Sequence, residues 1–268
     1  MGAPSGRAVV IDVDLGVGVR AGFSTRDGGV SRAPWDSLDL GLGTGDDPED
    51  VARNRERASS WVGAEVRFAR QVHGTRVELV GQRDGASPGA VPAADPAAGA
   101  EPECDAMVAG AGVGLGVLVA DCVPVLLADP VAGVVGVAHA GRRGLTDGVV
   151  ARVVETLAAQ GASPARLRAA VGPCVCERCY EVPAALRDEV AAVLPATRAT
   201  TAWGTPSLDL RAGVEAELRA AGVVSVTHVR ACTRTDERFF SHRRATEQGA
   251  TTGRFAGLVA IPGPRPAG

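Results

Sequence analysis

The sequence predicts an α/β fold, and three stretches predict it. Segments 123–128 and 134–137 are short, β-branched and uncharged, so they read as buried strands of one sheet joined by a turn at Asp129-Pro130. The motif Ala138-His139-Ala140-Gly141-Arg142-Arg143-Gly144 then opens a helical repeat of Leu145, Val149, Val150, Val153, Val154 and Leu157 that runs to Gly161. Further on, apolar strands at 167–171 and 223–229 bracket a helix at 211–221.

Composition bounds what such a chain can do. At 268 residues, with 46% hydrophobic and 22% charged side chains, it suits a globular protein of one large domain or two small ones. A net charge of -3 and the lack of a basic stripe with interleaved aromatics argue against nucleic acid as a partner. No apolar span approaches the roughly 20 residues of a membrane helix, and the N-terminus has no signal-like core, so the expected location is the cytoplasm. Six cysteines are too few for a disulfide scaffold and should stay reduced. All 28 basic residues are Arg, which excludes Schiff-base and P-loop lysine chemistry.

In chain order, segments 8–13 and 17–23 suggest an opening hairpin split at 14–16. Its second strand delivers Ser24, Thr25 and Arg26 ahead of Gly28-Gly29. That group can present hydroxyls, a guanidinium and free amides to an anionic or ribose-like ligand, or simply form a glycine turn. After an irregular loop at 37–45, Asp46-Asp47-Pro48 starts a helix that carries Val51, Ala52, Arg55, Ala58, Ser59 and Val62, with Asn54 counted as solvent-facing. Alternation over 66–72 predicts a strand that runs into Gln71-Val72-His73-Gly74. An Ala/Pro/Gly-rich stretch at 81–103 reads as a flexible loop inserted between parts of one sheet. A glycine-spaced strand follows at 112–119. Cys174, Cys176 and Cys179 have the CxC and CxxC spacings of a structural zinc site. No fourth ligand is near, however, and the segment continues through Tyr180-Glu181-Val182 into a helix from Pro183, which weighs against a metal there. The last strand lies in GRFAGLVAIP, and 263–268 reads as a tail.

Cys122 opens the first central strand and His139 closes the second, so a thiol and an imidazole meet on a rigid scaffold. They suit a nucleophile with its base, or two ligands of one metal. His73, also beside glycine at a strand end, makes a set of three, the count of protein ligands in a catalytic zinc site. Such a metal lowers the pKa of its water to roughly 7. Asp121 can orient a histidine or shuttle a proton. The glycine turn before the predicted helix favours anions, and Arg142 and Arg143 there suit phosphate or a carboxylate, or are solvated charges. The paired motifs of zinc deaminases are missing. Four histidines are too few for a histidine-rich multicopper site, so copper is disfavoured.

The ordered series FSTRDGGVS, GDDPEDVARNR, QVHG, ADCVPVLLAD, AHAGRRG, GPCVCERCYEV and CTRTDERFFSHRR resembles the YfiH or laccase-domain family of purine nucleoside phosphorylases over nearly the whole chain. The resemblance implies a single domain over 1–262, a mixed-sheet α/β sandwich similar to the catalytic domain of cytotoxic necrotizing factor, and a monomer. It also implies one zinc ion held by His73, Cys122 and His139, with Cys122, His139 and Asp121 catalytic. The implied chemistry is phosphorolysis of adenosine, inosine and methylthioadenosine, together with adenosine deamination. Nucleoside and phosphate would meet Ser24, Arg26, Asn54 and Arg143. Arg142 stands where that family usually has Trp. The rival reading is a Cys122–His139 hydrolase acting on peptide or peptidoglycan-precursor amides.

Overall fold

The computed structural model describes residues 8–81 and 101–263. Of the expected loop and tail, positions 82–100 and 264–268 lie outside the described residues. Two mixed sheets form the body. One has five strands in the order β1 (Val10–Asp12), β2 (Arg20–Ser24), β13 (Phe255–Ala260), β6 (Gly114–Val119) and β3 (Val66–Arg67). The other has six: β12 (Ser225–His228), β9 (Arg168–Val171), β7 (Val123–Asp129), β8 (Val134–Ala140), β5 (Ala106–Gly110) and β4 (Val77–Val80). The β3–β6, β4–β5 and β9–β12 pairs are parallel, and the remaining pairs are antiparallel.

Period-two alternation explains how the sheets stack. Met107, Ala109, Leu126, Ala128, Val135 and Val137 of the larger sheet meet Phe23, Leu115, Val117 and Val259 of the smaller one in the central core. Their neighbours Val108, Val125, Leu127 and Ala138 point the other way, onto α3 (Val149–Ala159) and α5 (Leu210–Ala220). The outer face of the smaller sheet is covered by α1 (Pro48–Val62) through Ala58 and Val62. With both faces covered, β7 and β8 are buried at every residue, which is why they read as unbroken apolar runs.

Several local expectations need correction. The strand expected over 66–72 is regular only at Val66–Arg67; beyond it the amides of residues 72–74 bond a side chain rather than a neighbouring strand. The helix expected from Leu145 to Gly161 is two helices, α2 (Arg142–Thr146) and α3, broken at Gly148, whose φ of 91° is left-handed. The first has five residues, too short to act as the anion-binding helix terminus the sequence suggested. Asp47 caps α1 by accepting from the Glu49 amide, and Pro48 opens it as expected, but Asn54 is fully buried rather than solvent-facing. Smaller elements complete the chain: α4 (Ala184–Val193), the β10 (Arg198–Thr200) and β11 (Pro206–Leu208) ribbon, and α6 (His242–Glu247). No helix among the described residues is long and apolar enough to cross a membrane.

Candidate metal centre and its cavity

The site lies where the chain changes sheets. His73 sits on the link from β3 in the small sheet to β4 in the large one, and Cys122 on the link from β6 to β7. His139 lies near the end of β8, paired with Pro124 of β7, so all three side chains converge at one end of the sandwich. Their ligand atoms all fall within 4.8 Å of one another. Cys122 Sγ is 3.8 Å from His73 Nε2, and the two imidazoles meet edge to face with centroids 4.7 Å apart.

Asp105, which sequence patterning did not single out, organises this centre. Its Oδ1 accepts from the His73 amide at 2.9 Å and lies 2.8 Å from His139 Nδ1, while Oδ2 accepts from the Val72 and Gly74 amides at 3.1 and 2.7 Å. One carboxylate therefore fixes the His73 turn and the His139 ring together. His73 needs this support, because its φ of 61° is unfavourable for a residue with a Cβ. Gln71 adds a second anchor: its amide group donates to the Leu118 carbonyl at 2.7 Å and accepts from the Leu118 amide at 2.8 Å. Gly141 is required by close approach, since a Cβ there would lie 2.6 Å from His73 Cδ2 and 3.2 Å from Cys122 Sγ.

Electrostatics couple the three groups. Burial opposes ionisation of Cys122, yet His139 and His73 beside it bring the thiol down to about 6. Burial likewise disfavours a charged His139, but the Cys122 sulfur and the Asp105 carboxylate push its pKa up to about 9. For Asp105, burial is outweighed by the bonds from His139 and the amides of residues 74 and 72, which hold it below the usual carboxylate range.

The donor set fits a zinc-like cation. Zinc takes thiolate and imidazole ligands at about 2.3 and 2.0–2.1 Å, which in tetrahedral geometry places neighbouring donors roughly 3.5 Å apart. The 3.8 Å between Cys122 Sγ and His73 Nε2 is close to that spacing. His139 spends Nδ1 on Asp105, which leaves Nε2 free for a metal.

The three residues face a cavity of about 640 Å³, within the range of small-molecule sites. Arg70, Arg142, Arg143, Arg243 and Arg254 are among its lining residues, together with Glu101 and Asp121. Arg243 lies over the Tyr180 ring and donates to the Glu181 carbonyl, which fixes part of the wall. Arg143 is exposed on α2.

Among the other sequence candidates, Asp121 lines the cavity but orients no histidine. Its Oδ1 accepts from Thr233 Oγ1 at 2.6 Å and its Oδ2 from the Arg243 amide at 2.6 Å, and Asp105 takes the histidine instead. Of the expected substrate contacts only Arg143 lines the cavity. Ser24 is fully buried and accepts from the Ala256 amide, Arg26 is engaged with Asp36, and Asn54 bonds Val30, Ser31, Ser37 and Asp39. These three bond within the protein and are not among the cavity-lining residues.

Two mixed sheets with a His–Cys–His centre at their crossing end define the class of protein. Residues 20–262 match the multi-copper polyphenol oxidoreductase laccase family, and the chain belongs to that family. A purine nucleoside phosphorylase of Streptomyces coelicolor is 49% identical over 246 residues, covering 90% of this chain and 95% of its own. Another, YlmD of Geobacillus stearothermophilus, is 35% identical and covers 90% of both chains. Among solved structures, a Neisseria meningitidis protein of the DUF152 family superposes with a TM-score of 0.79 at 34% identity, over 96% of this chain and 100% of its own. The YfiH protein of Bacillus licheniformis superposes with a TM-score of 0.78 at 30% identity, over 96% and 97%.

Proposed function

We propose that this protein is a zinc-dependent purine nucleoside phosphorylase acting on adenosine, inosine and methylthioadenosine, and that the same cavity deaminates adenosine. The observation that carries the reading is the coincidence of a two-imidazole, one-thiol centre with an arginine-lined cavity in a chain 49% identical to a purine nucleoside phosphorylase. Zinc suits that mixed sulfur and nitrogen donor set, whereas the chain's four histidines would not furnish a multicopper centre.

In phosphorolysis a phosphate oxygen bonds to the anomeric carbon of the ribose as the bond from that carbon to the purine nitrogen breaks. The electron pair leaves with the base, which is then protonated. Arg143 and Arg142, side by side at the start of α2, with Arg243, which meets Tyr180 beside Arg142, supply the charge that binds the phosphate. Val175, Leu210 and the Tyr180 ring offer apolar surface for the purine. In deamination water adds to the purine carbon that carries the amino group and ammonia leaves. A zinc ion on His73, Cys122 and His139 supplies Lewis-acid chemistry when bound. Asp105 keeps the His139 ring and the His73 turn in register, and Asp121, tied to Thr233 and Arg243, holds the wall next to Cys122.

The test is metal analysis of the purified protein combined with a nucleoside assay with and without phosphate. The expected result is free base and ribose 1-phosphate only when phosphate is present, and inosine from adenosine in either case. Cys122→Ala and His139→Ala should lose zinc and both activities. Full phosphorolysis by a metal-free variant would overturn the zinc assignment.

One observation favours a second reading. Asp105, His139 and the acidified Cys122 also form the order of groups found in thiol hydrolases, which suits cleavage of peptide or peptidoglycan-precursor amides. Inactivation by a thiol alkylator but not by a chelator would support that alternative.

A further inference from the structure

We propose that Cys176, Cys179 and Cys232 bind a second metal ion, one divalent cation of the zinc class, at a site distinct from the cavity centre. Their sulfurs lie within 4.8 Å of one another, yet none of the three residues lines the cavity. The CxC spacing therefore points to the wrong partner: Cys174 pairs with Cys232 through its backbone but is not among the three grouped thiols, and its buried sulfur accepts from Arg211 at 3.3 Å. The third thiol comes instead from a segment 53 residues beyond Cys179, which a local motif cannot reveal.

The geometry around the thiols is that of a ligand cradle. Cys176 and Cys179 lie on a tight turn in which the Cys176 carbonyl accepts from the amides of Cys179 and Tyr180, both at 2.9 Å. Cys232 opens a matching turn, its carbonyl accepting from the Thr235 and Asp236 amides. A single bridge between Cys174 and Cys232 aligns the two segments in parallel. The Cys176 amide donates to Cys232 Sγ at 3.4 Å, and Arg234 reaches Cys179 Sγ at 3.8 Å. Three thiolates around a divalent cation carry one net negative charge, and the Arg234 guanidinium, itself paired with Glu247, lies beside them. Binding replaces three S–H bonds with three metal–sulfur bonds and releases three protons, so no oxidant is needed. Three protein ligands leave the fourth position to water.

The site has a structural consequence for the cavity. Val175 and Tyr180, on either side of the CxxC turn, form cavity wall, and Thr233 follows Cys232 directly. Both segments grip Asp121: the Val175 amide donates to its carbonyl and Thr233 Oγ1 to its carboxylate. A metal joining them clamps the wall next to Cys122 without touching substrate.

The experiment uses the full-length His73→Ala/Cys122→Ser chain, which disables the cavity centre, titrated with Cd²⁺ under reducing conditions. The expected result is one cadmium per chain, thiolate-to-cadmium absorption saturating at one equivalent, and loss of alkylation at Cys176, Cys179 and Cys232. In the unsubstituted chain loaded with Zn²⁺, protection of these three cysteines reports this site and protection of Cys122 reports the cavity centre, so either assignment can fail alone. Should the double variant not fold, that protection pattern decides, with Cys232→Ser expected to lose one zinc equivalent relative to the unsubstituted chain. Unchanged alkylation of the three cysteines in the presence of metal, or a disulfide among them in the purified reduced protein, would overturn the proposal.

Discussion

Asp105 shows how one side chain can hold a centre to which it contributes no ligand. Its four contacts tie three consecutive amides at the His73 turn to the His139 ring, which stands 34 residues beyond Asp105. Asp105→Asn keeps the size but replaces one acceptor oxygen by an amide that faces donors. Metal affinity should fall about 10- to 100-fold, as for other second-shell losses, and chelator competition against the unsubstituted chain measures it. Gly141 offers a cleaner steric test. Its φ of -74° and ψ of 164° suit any residue, so Gly141→Ala introduces no backbone strain and acts only through the 2.6 Å clash with His73. We expect loss of metal and activity with little change in far-UV circular dichroism; full metal occupancy in the variant would contradict the tight packing described here. Cys122, His139 and His73 were legible because each is a reactive residue at the end of a patterned strand. Asp105 was not, because a carboxylate that accepts from distant amides leaves no periodic trace.

At the level of elements, legibility followed burial. The doubly covered β7 and β8 and the capped α1 declare themselves through apolar runs and Asp47-Pro48, whereas β3 shrank to two residues once Asp105 captured the amides beyond it. Asn54 was misread for a related reason. It occupies a polar slot on α1, but the loop at 30–39 folds over it and uses its amide group as a staple. The α3–α5 contact yields a pH-dependent prediction. Gly148 offers no side-chain cap to α3, and Glu217 of α5 accepts from the Val150 amide instead, leaving Oε2 buried without a partner. Burial pushes this carboxyl up to about 7 from 4.5, outweighing the lowering by that amide. The folded state thus holds a proton that the unfolded chain has already released. Stability contributed by the protonated form is complete below pH 4.5 and is lost as pH rises through 7. Glu217→Gln, which keeps an acceptor for Val150, should leave stability nearly unchanged at pH 4.5. Above pH 7 it should raise stability by on the order of 1 kcal/mol, a figure reduced for the partial exposure of the site. Urea unfolding at pH 4.5, 6 and 8 reads the trend, and a gain that does not grow with pH would exclude Glu217 as its source.

For the whole molecule, the decisive feature is that two of the ligands come from links between the sheets. His73 lies on the crossing from β3 to β4, Cys122 on the crossing from β6 to β7, and His139 on β8 of the large sheet. Hydrophobic pattern could announce the strands but not their division into two sheets, since alternate faces of β5, β7 and β8 are apolar whichever layer they meet. A cation at this end would bond these two crossings to the large sheet, and because its ligands meet only in the closed sandwich, its binding energy would add to folding stability. At a free metal concentration 1,000 times the dissociation constant the gain is about 4 kcal/mol. For a chain of this size each kcal/mol moves the melting temperature by roughly 2–4 °C, so full chelation should lower it by about 10 °C. The cysteine cluster near Arg234 would contribute its own share of any chelator effect, so the informative quantity is the difference between the unsubstituted chain and Cys122→Ser. In that variant the part of the shift owed to the cavity centre should vanish while the part owed to Cys176, Cys179 and Cys232 persists. Equal chelator shifts in the two proteins would mean that the crossings are not bridged by metal, and that the sandwich end is held by Asp105 and Gln71 alone.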